Sequence, residues 1–174
     1  MSTGTHVSGS RHCTVGLLLI AALFLAPGAG AGGREASAGA AQASAAATLE
    51  GTWRVEVTLR QCDTGLPIAE PFPALATFAR GGTVTTSDGG MSPAQRGPGH
   101  GVWWRLQGRS FAAVTEAFLF GSTGVLTGTQ RLSQTIELDA AARAFQASVS
   151  ARVTNVAGHV VFTGCATSEG RRLD

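Results

Sequence analysis

The chain predicts an all-β fold, an eight-stranded antiparallel up-and-down barrel, and three observations predict it. Residues 51–60 alternate almost without error: Trp53, Val55, Val57 and Leu59 share one face, and Thr52, Arg54, Glu56, Thr58 and Arg60 the other. This is the pattern of a half-buried strand. Further strand-length runs follow at short intervals, divided by turns bearing Gly and Pro, with no convincing helical stretch between them. Two cysteines, Cys62 just beyond the first run and Cys165 within the last, would be brought together if the sheet closes.

The region before these strands reads as a leader and a linker. Residues 1–12 are polar with a single Arg11, and residues 15–26 form an apolar run too short to span a bilayer comfortably. Pro27 and the small residues Ala29-Gly30-Ala31 then offer a cleavage site, so residues 1–31 are expected to be a signal peptide and the protein to be secreted or periplasmic. An uncleaved anchor is the weaker alternative. Residues 32–48 are mostly Ala, Gly and Ser without apolar periodicity, which predicts a disordered linker leading to a barrel domain over residues 49–174.

Within that domain the first strand ends in the turn-forming Asp63-Thr64-Gly65-Leu66-Pro67, and Pro71 and Pro73 keep the next connection irregular. Strands are then expected at residues 74–79 and 83–87, joined through Arg80-Gly81-Gly82, followed by a Gly- and Pro-rich loop over residues 88–99. The remaining strands are expected at residues 102–107, 111–120, 127–138, 145–154 and 160–172. Locally connected strands of even number favour a meander closed into a barrel.

Cys13 lies within the leader and ahead of its apolar run, so Cys62 and Cys165 alone remain in the exported chain, where a disulfide is expected. Two separate buried thiols are the alternative. Setting these cysteines directly opposite each other on antiparallel first and last strands pairs Val55 with Arg172 and Trp53 with Asp174, with both sulfurs pointing out of the barrel across its seam.

Gly51-Thr52-Trp53 at the head of an alternating strand, some eight meandering strands, and an inward Arg172 brought near Trp53 resemble a secreted bacterial barrel of the lipocalin type, within the wider calycin group. The resemblance implies that Trp53 plugs the closed end, that Arg172 packs over it, and that the interior holds a ligand. Biotin-binding barrels also open on a Gly-x-Trp strand, but with a tight first hairpin, whereas residues 62–72 make a long connection here.

Polar residues facing inward are the best sequence sign of a cavity, since a solidly packed barrel would exclude them. Gln130 and Gln134 share the apolar face of the sixth strand with Leu132, Ile136 and Leu138. Their alternative role is mutual hydrogen bonding with Arg105 or a buried water. Glu116 lies on a face with Val114, Phe118 and Phe120, although the opposite face of that strand is nearly as apolar. His100, flanked by glycines and followed by Trp103-Trp104, is placed to approach a ligand, or else belongs to a tight turn into a strand. The expected ligand-binding set is Phe78, Trp104, Glu116, Phe118, Gln130, Gln134, Val149 and His100.

Several functions are disfavoured. Loss of Arg11 with the leader leaves 12 of the 13 basic residues against 11 acids, spread along the chain, so the basic patch of a nucleic-acid binder is missing. No metal site is expected from His100 and His159, no cofactor is expected, and no nucleophile or acid/base motif emerges. The leading expectation is an exported barrel binding a small apolar molecule. The alternative is a protein partner, such as an exported protease inhibited through residues 32–48, and a barrel isomerase or cyclase using Glu116 as base ranks last.

Overall fold

The computed structural model describes residues 47–173, so the expected signal peptide and almost all of the expected linker lie outside the described residues. Eight strands, β1 (Gly51–Arg60), β2 (Phe72–Phe78), β3 (Thr83–Asp88), β4 (Gly99–Gln107), β5 (Ser110–Phe120), β6 (Leu126–Leu138), β7 (Ala144–Asn155) and β8 (Val160–Arg172), form one closed barrel. Each pairs antiparallel with its neighbour in the chain, and β1 closes on β8. Among the described residues no helix is long and apolar enough to cross a membrane.

The seam corrects the expected register. Trp53 faces Arg172, and Arg60 faces Cys165, a slip of two residues from the pairing in which Cys62 opposed Cys165. β1 stops at Arg60, which is held by Thr167 Oγ1 at 2.7 Å and by the carbonyl of Gly65 at 2.9 Å, and Cys62 falls in the turn beyond. The Cys62–Cys165 disulfide forms all the same, with the Cα atoms 5.2 Å apart. Because the slip is even, the side chains of β1 and β8 keep their expected faces.

Large side chains fill one end. Trp53, Phe78, Phe111, Ile136, Leu138 and Phe145 are buried together there. The Trp53 and Phe145 rings lie 5.0 Å apart, and Phe78 meets Trp103 edge-on at 6.0 Å. Leu49, fully buried, crosses beneath them and accepts the Trp53 indole N–H at 3.0 Å. This end is stoppered by aromatic area, the largest apolar contribution available to a core of this size.

Two arginines fasten the stopper. Arg172 lies 4.3 Å over the Trp53 ring and Arg105 lies 4.5 Å over Phe111. Arg172 donates to the carbonyls of Thr48, Glu50 and Ala142, and Arg105 to those of Ala47 and Gly108. Gly51 is required here on two counts: its φ is +127°, and a Cβ would run into the Arg172 guanidinium. The head of the Gly-Thr-Trp strand is thus shaped by the arginine that ends the chain's last strand.

Candidate ligand cavity

Above the aromatic floor the inner face turns small. Ala74 on β2, Ala151 on β7, and Gly164 and Ala166 on β8 replace the rings below, and eight strands enclose more space than these side chains occupy. The result is a cavity of about 270 Å³. It opens toward the connections 61–71, 89–98, 121–125 and 156–159, opposite the stoppered end. Ile68, Phe72, Met91, Leu59 and Phe162 line it toward that opening, and all but Phe72 are large apolar side chains left exposed.

Most of the polar side chains that line the cavity, Thr86, Asp88, Arg96, Gln130 and Gln134, come from β3, the loop after it and β6, with Arg60 of β1 and Ser168 of β8 on the other side. Arg96 enters from the loop between β3 and β4, where it pairs with Leu119 of β5 as an isolated bridge. Its Nη1 lies 2.7 Å from a carboxylate oxygen of Asp88, with the two side chains only 4% and 16% exposed. Its Nε donates to Gln130 Oε1 at 2.7 Å, and Nη1 also reaches the Gly97 carbonyl at 3.4 Å. The hydroxyls of Thr86 and Thr115 are buried nearby without a partner among the described residues. A Cβ on Gly99 would strike the Thr86 hydroxyl and come within 3.6 Å of Arg96 Nη2, so glycine lets this group close up.

Gln130 and Gln134 do face inward, as do Phe78 and Val149, and all four line the cavity. The partner of Gln130 is Arg96, whereas Arg105, the arginine weighed in the alternative role, is spent on Phe111 and the floor. Four of the expected ligand-binding residues lie elsewhere. Trp104 stands on the outer face of β4 beside Val102 and Leu106, all exposed, while Trp103 turns inward between Phe78 and Phe111. His100 is outward on the same strand, opposite Glu116 of β5. Glu116 is paired across the outer surface with Arg131 at 3.7 Å, and Phe118 is 59% exposed on that surface.

The reversal on β4 and β5 has a steric cause. The outward sets, Val102-Trp104-Leu106 and Val114-Glu116-Phe118, are as apolar as the inward ones, so hydrophobicity alone aims these strands wrongly. Small inward residues, Gly99 on β4 and Thr115 on β5, leave room for Arg96, while a Cβ on Gly101 would strike the Val114 carbonyl of the neighbouring strand. Arg96 itself was hidden in a loop whose Gly and Pro content marks a connection. Its signal was indirect: an inward glutamine requires a partner.

The two histidines of the domain, His100 and His159, are both exposed, and no described cluster of three or more His, Cys, Asp or Glu could hold a metal ion. No protein-family model matches this chain, and no curated protein matches it in sequence. Fold and interior alone define its class, a closed up-and-down β-barrel with one stoppered end and one open end. Its distinguishing property is a mainly apolar cavity with most of its polar side chains on one side.

Proposed function

We propose that the protein is an exported barrel of the lipocalin type that binds a small, mainly apolar molecule in its interior, with Phe78, Gln130, Gln134 and Val149 among the lining residues. The observation that carries this reading is the apolar cavity of about 270 Å³, close to the lower end of ligand-site volumes and furnished with a few convergent polar groups. Export is supported by the apolar leader of residues 15–26 and by the disulfide, which persists in oxidising compartments. The lipocalin reading draws on Gly51-Thr52-Trp53 and on Arg172 stacked over Trp53. Native mass spectrometry of protein purified from its own host is the test. A retained small-molecule mass is expected; bare protein that also fails to bind any of a panel of apolar probes would overturn the reading.

A second reading is favoured by the outer face of β4 and β5, where Val102, Trp104, Leu106 and Phe118 are exposed. Such a face suits a protein partner. If the partner is an exported protease reached by the segment before the barrel, deleting residues 32–46 abolishes inhibition and leaves small-molecule binding unchanged. Ala47 and Thr48 are kept in that deletion because Arg105 and Arg172 hold their carbonyls.

A further inference from the structure

The two walls of the cavity differ in kind, and the difference bears on which molecules enter. Val57, Ala74, Val149, Ala151 and Ala166 form an apolar wall on β7, β8, β1 and β2. Asp88, Arg96 and Gln130 form the polar wall opposite. An arginine in an apolar pocket would ordinarily mark a site for a carboxylate. Here that role is already filled from within the protein, because the Asp88 carboxylate lies 2.7 Å from Arg96 Nη1 in a nearly closed environment. An incoming carboxylate would meet an acid as well as the guanidinium, and like charges repel strongly where water is scarce.

What the wall leaves over is hydrogen-bonding capacity without net charge. Gln130 turns its oxygen to Arg96, which leaves the two N–H bonds of its amide nitrogen to donate. Thr86 lines the same wall, but its hydroxyl is buried away from the cavity, with no partner among the described residues. The Gln130 amide suits an uncharged oxygen, such as that of an alcohol, ketone or ester.

Resting on the reading that the interior binds an apolar molecule, we infer that the ligand is an uncharged amphiphile. Its polar oxygen sits against the Gln130 amide, its apolar body lies on the wall of β7, β8, β1 and β2, and Asp88 is the residue that excludes carboxylates. The test is displacement of a bound apolar fluorophore from the full chain by n-decanol and by decanoate at neutral pH, two probes of equal chain length that differ in charge.

The wild-type protein is expected to bind n-decanol at least about tenfold more tightly than decanoate, the scale set by one like-charge contact. Asp88→Asn is expected to raise decanoate affinity relative to that for n-decanol by about tenfold or more. A wild-type preference for decanoate, or an unaltered preference in a folded Asp88→Asn variant, overturns the inference while leaving interior binding in place. Should Asp88→Asn fail to fold, Asp88→Ser is read by the same ratio of affinities. Binding of neither probe, nor of the fluorophore, defeats the interior-binding reading and this inference with it.

Discussion

Arg172 lies 4.3 Å above the indole of Trp53 and faces it directly across the β1–β8 seam. The same guanidinium gathers the carbonyls of Thr48, Glu50 and Ala142, tying the approach to β1 and the turn before β7 to the end of β8. One side chain therefore joins both ends of the domain beneath the barrel floor.

Replacing Arg172 with alanine loses several charge-assisted hydrogen bonds and a cation–π contact. The expected cost is about 2–4 kcal/mol, read as a lower denaturant midpoint at unchanged slope. Arg172→Lys keeps the charge without the fork that reaches three carbonyls, so its loss should be intermediate. Equal stability of the alanine variant and wild type would contradict this account of the floor.

The disulfide links residues 103 apart in sequence, and its main effect is expected on the unfolded chain. Reduction should cost about 4–5 kcal/mol in the chain-entropy model. The barrel should remain closed in the reduced protein, because the ladder from Trp53–Arg172 to Arg60–Cys165 is formed by backbone pairing. Far-ultraviolet circular dichroism with and without reductant, followed through urea titration, measures both points.

The three tryptophans occupy three environments: Trp53 fully buried, Trp103 packed between Phe78 and Phe111, and Trp104 46% exposed. Acrylamide should quench mainly Trp104, so Trp104→Phe removes most of the quenchable emission. Trp104→Ala should change stability by no more than about 0.5 kcal/mol, as outer-surface substitutions do. Trp53→Ala, which empties the floor, should cost about 3–5 kcal/mol. Strong quenching that survives in Trp104→Phe would place the wrong tryptophan outside.

Asp139 begins the turn between β6 and β7, and its carboxyl is held below the ordinary aspartate value of 3.8 by the backbone N–H groups of Ala144 and then Arg143. A depressed value in the folded state makes its contribution fully present above 3.8 and lost as pH falls through the lower folded value. Asp139→Asn keeps an acceptor and removes the titration. The stability difference between wild type and this variant should therefore shrink below pH 3.8, and a difference constant across that range would refute the turn's role.

Much of the architecture was legible because period-two alternation in β1, β6, β7 and β8 has one clearly apolar face. The seam's faces were legible for the same reason, while its exact register was not. A disulfide can join residues that are not directly opposed, so Cys62 and Cys165 constrained the parity of the pairing and not its position. On β4 and β5, where both faces are apolar, direction depends on the size of the cavity's neighbours, which becomes visible only once Trp103 and Arg96 occupy their places. The polar wall was half legible: Gln130 was read from its strand, whereas Arg96 and Asp88 meet only because a loop folds inward.

The central claim, that the ligand site is inside the barrel, is tested most directly by filling it. Ala166 lines the cavity and lies between Leu59 of β1 and Val149 of β7 in the sheet, so Ala166→Phe should block the interior without touching the outer surface. Titration of an apolar fluorophore into the folded variants is the measurement. The account predicts saturable binding to wild type and to Trp104→Ala, weakened by at least about tenfold in Ala166→Phe, a loss of about 1.4 kcal/mol or more. Full affinity in Ala166→Phe, or binding lost in Trp104→Ala, would contradict it.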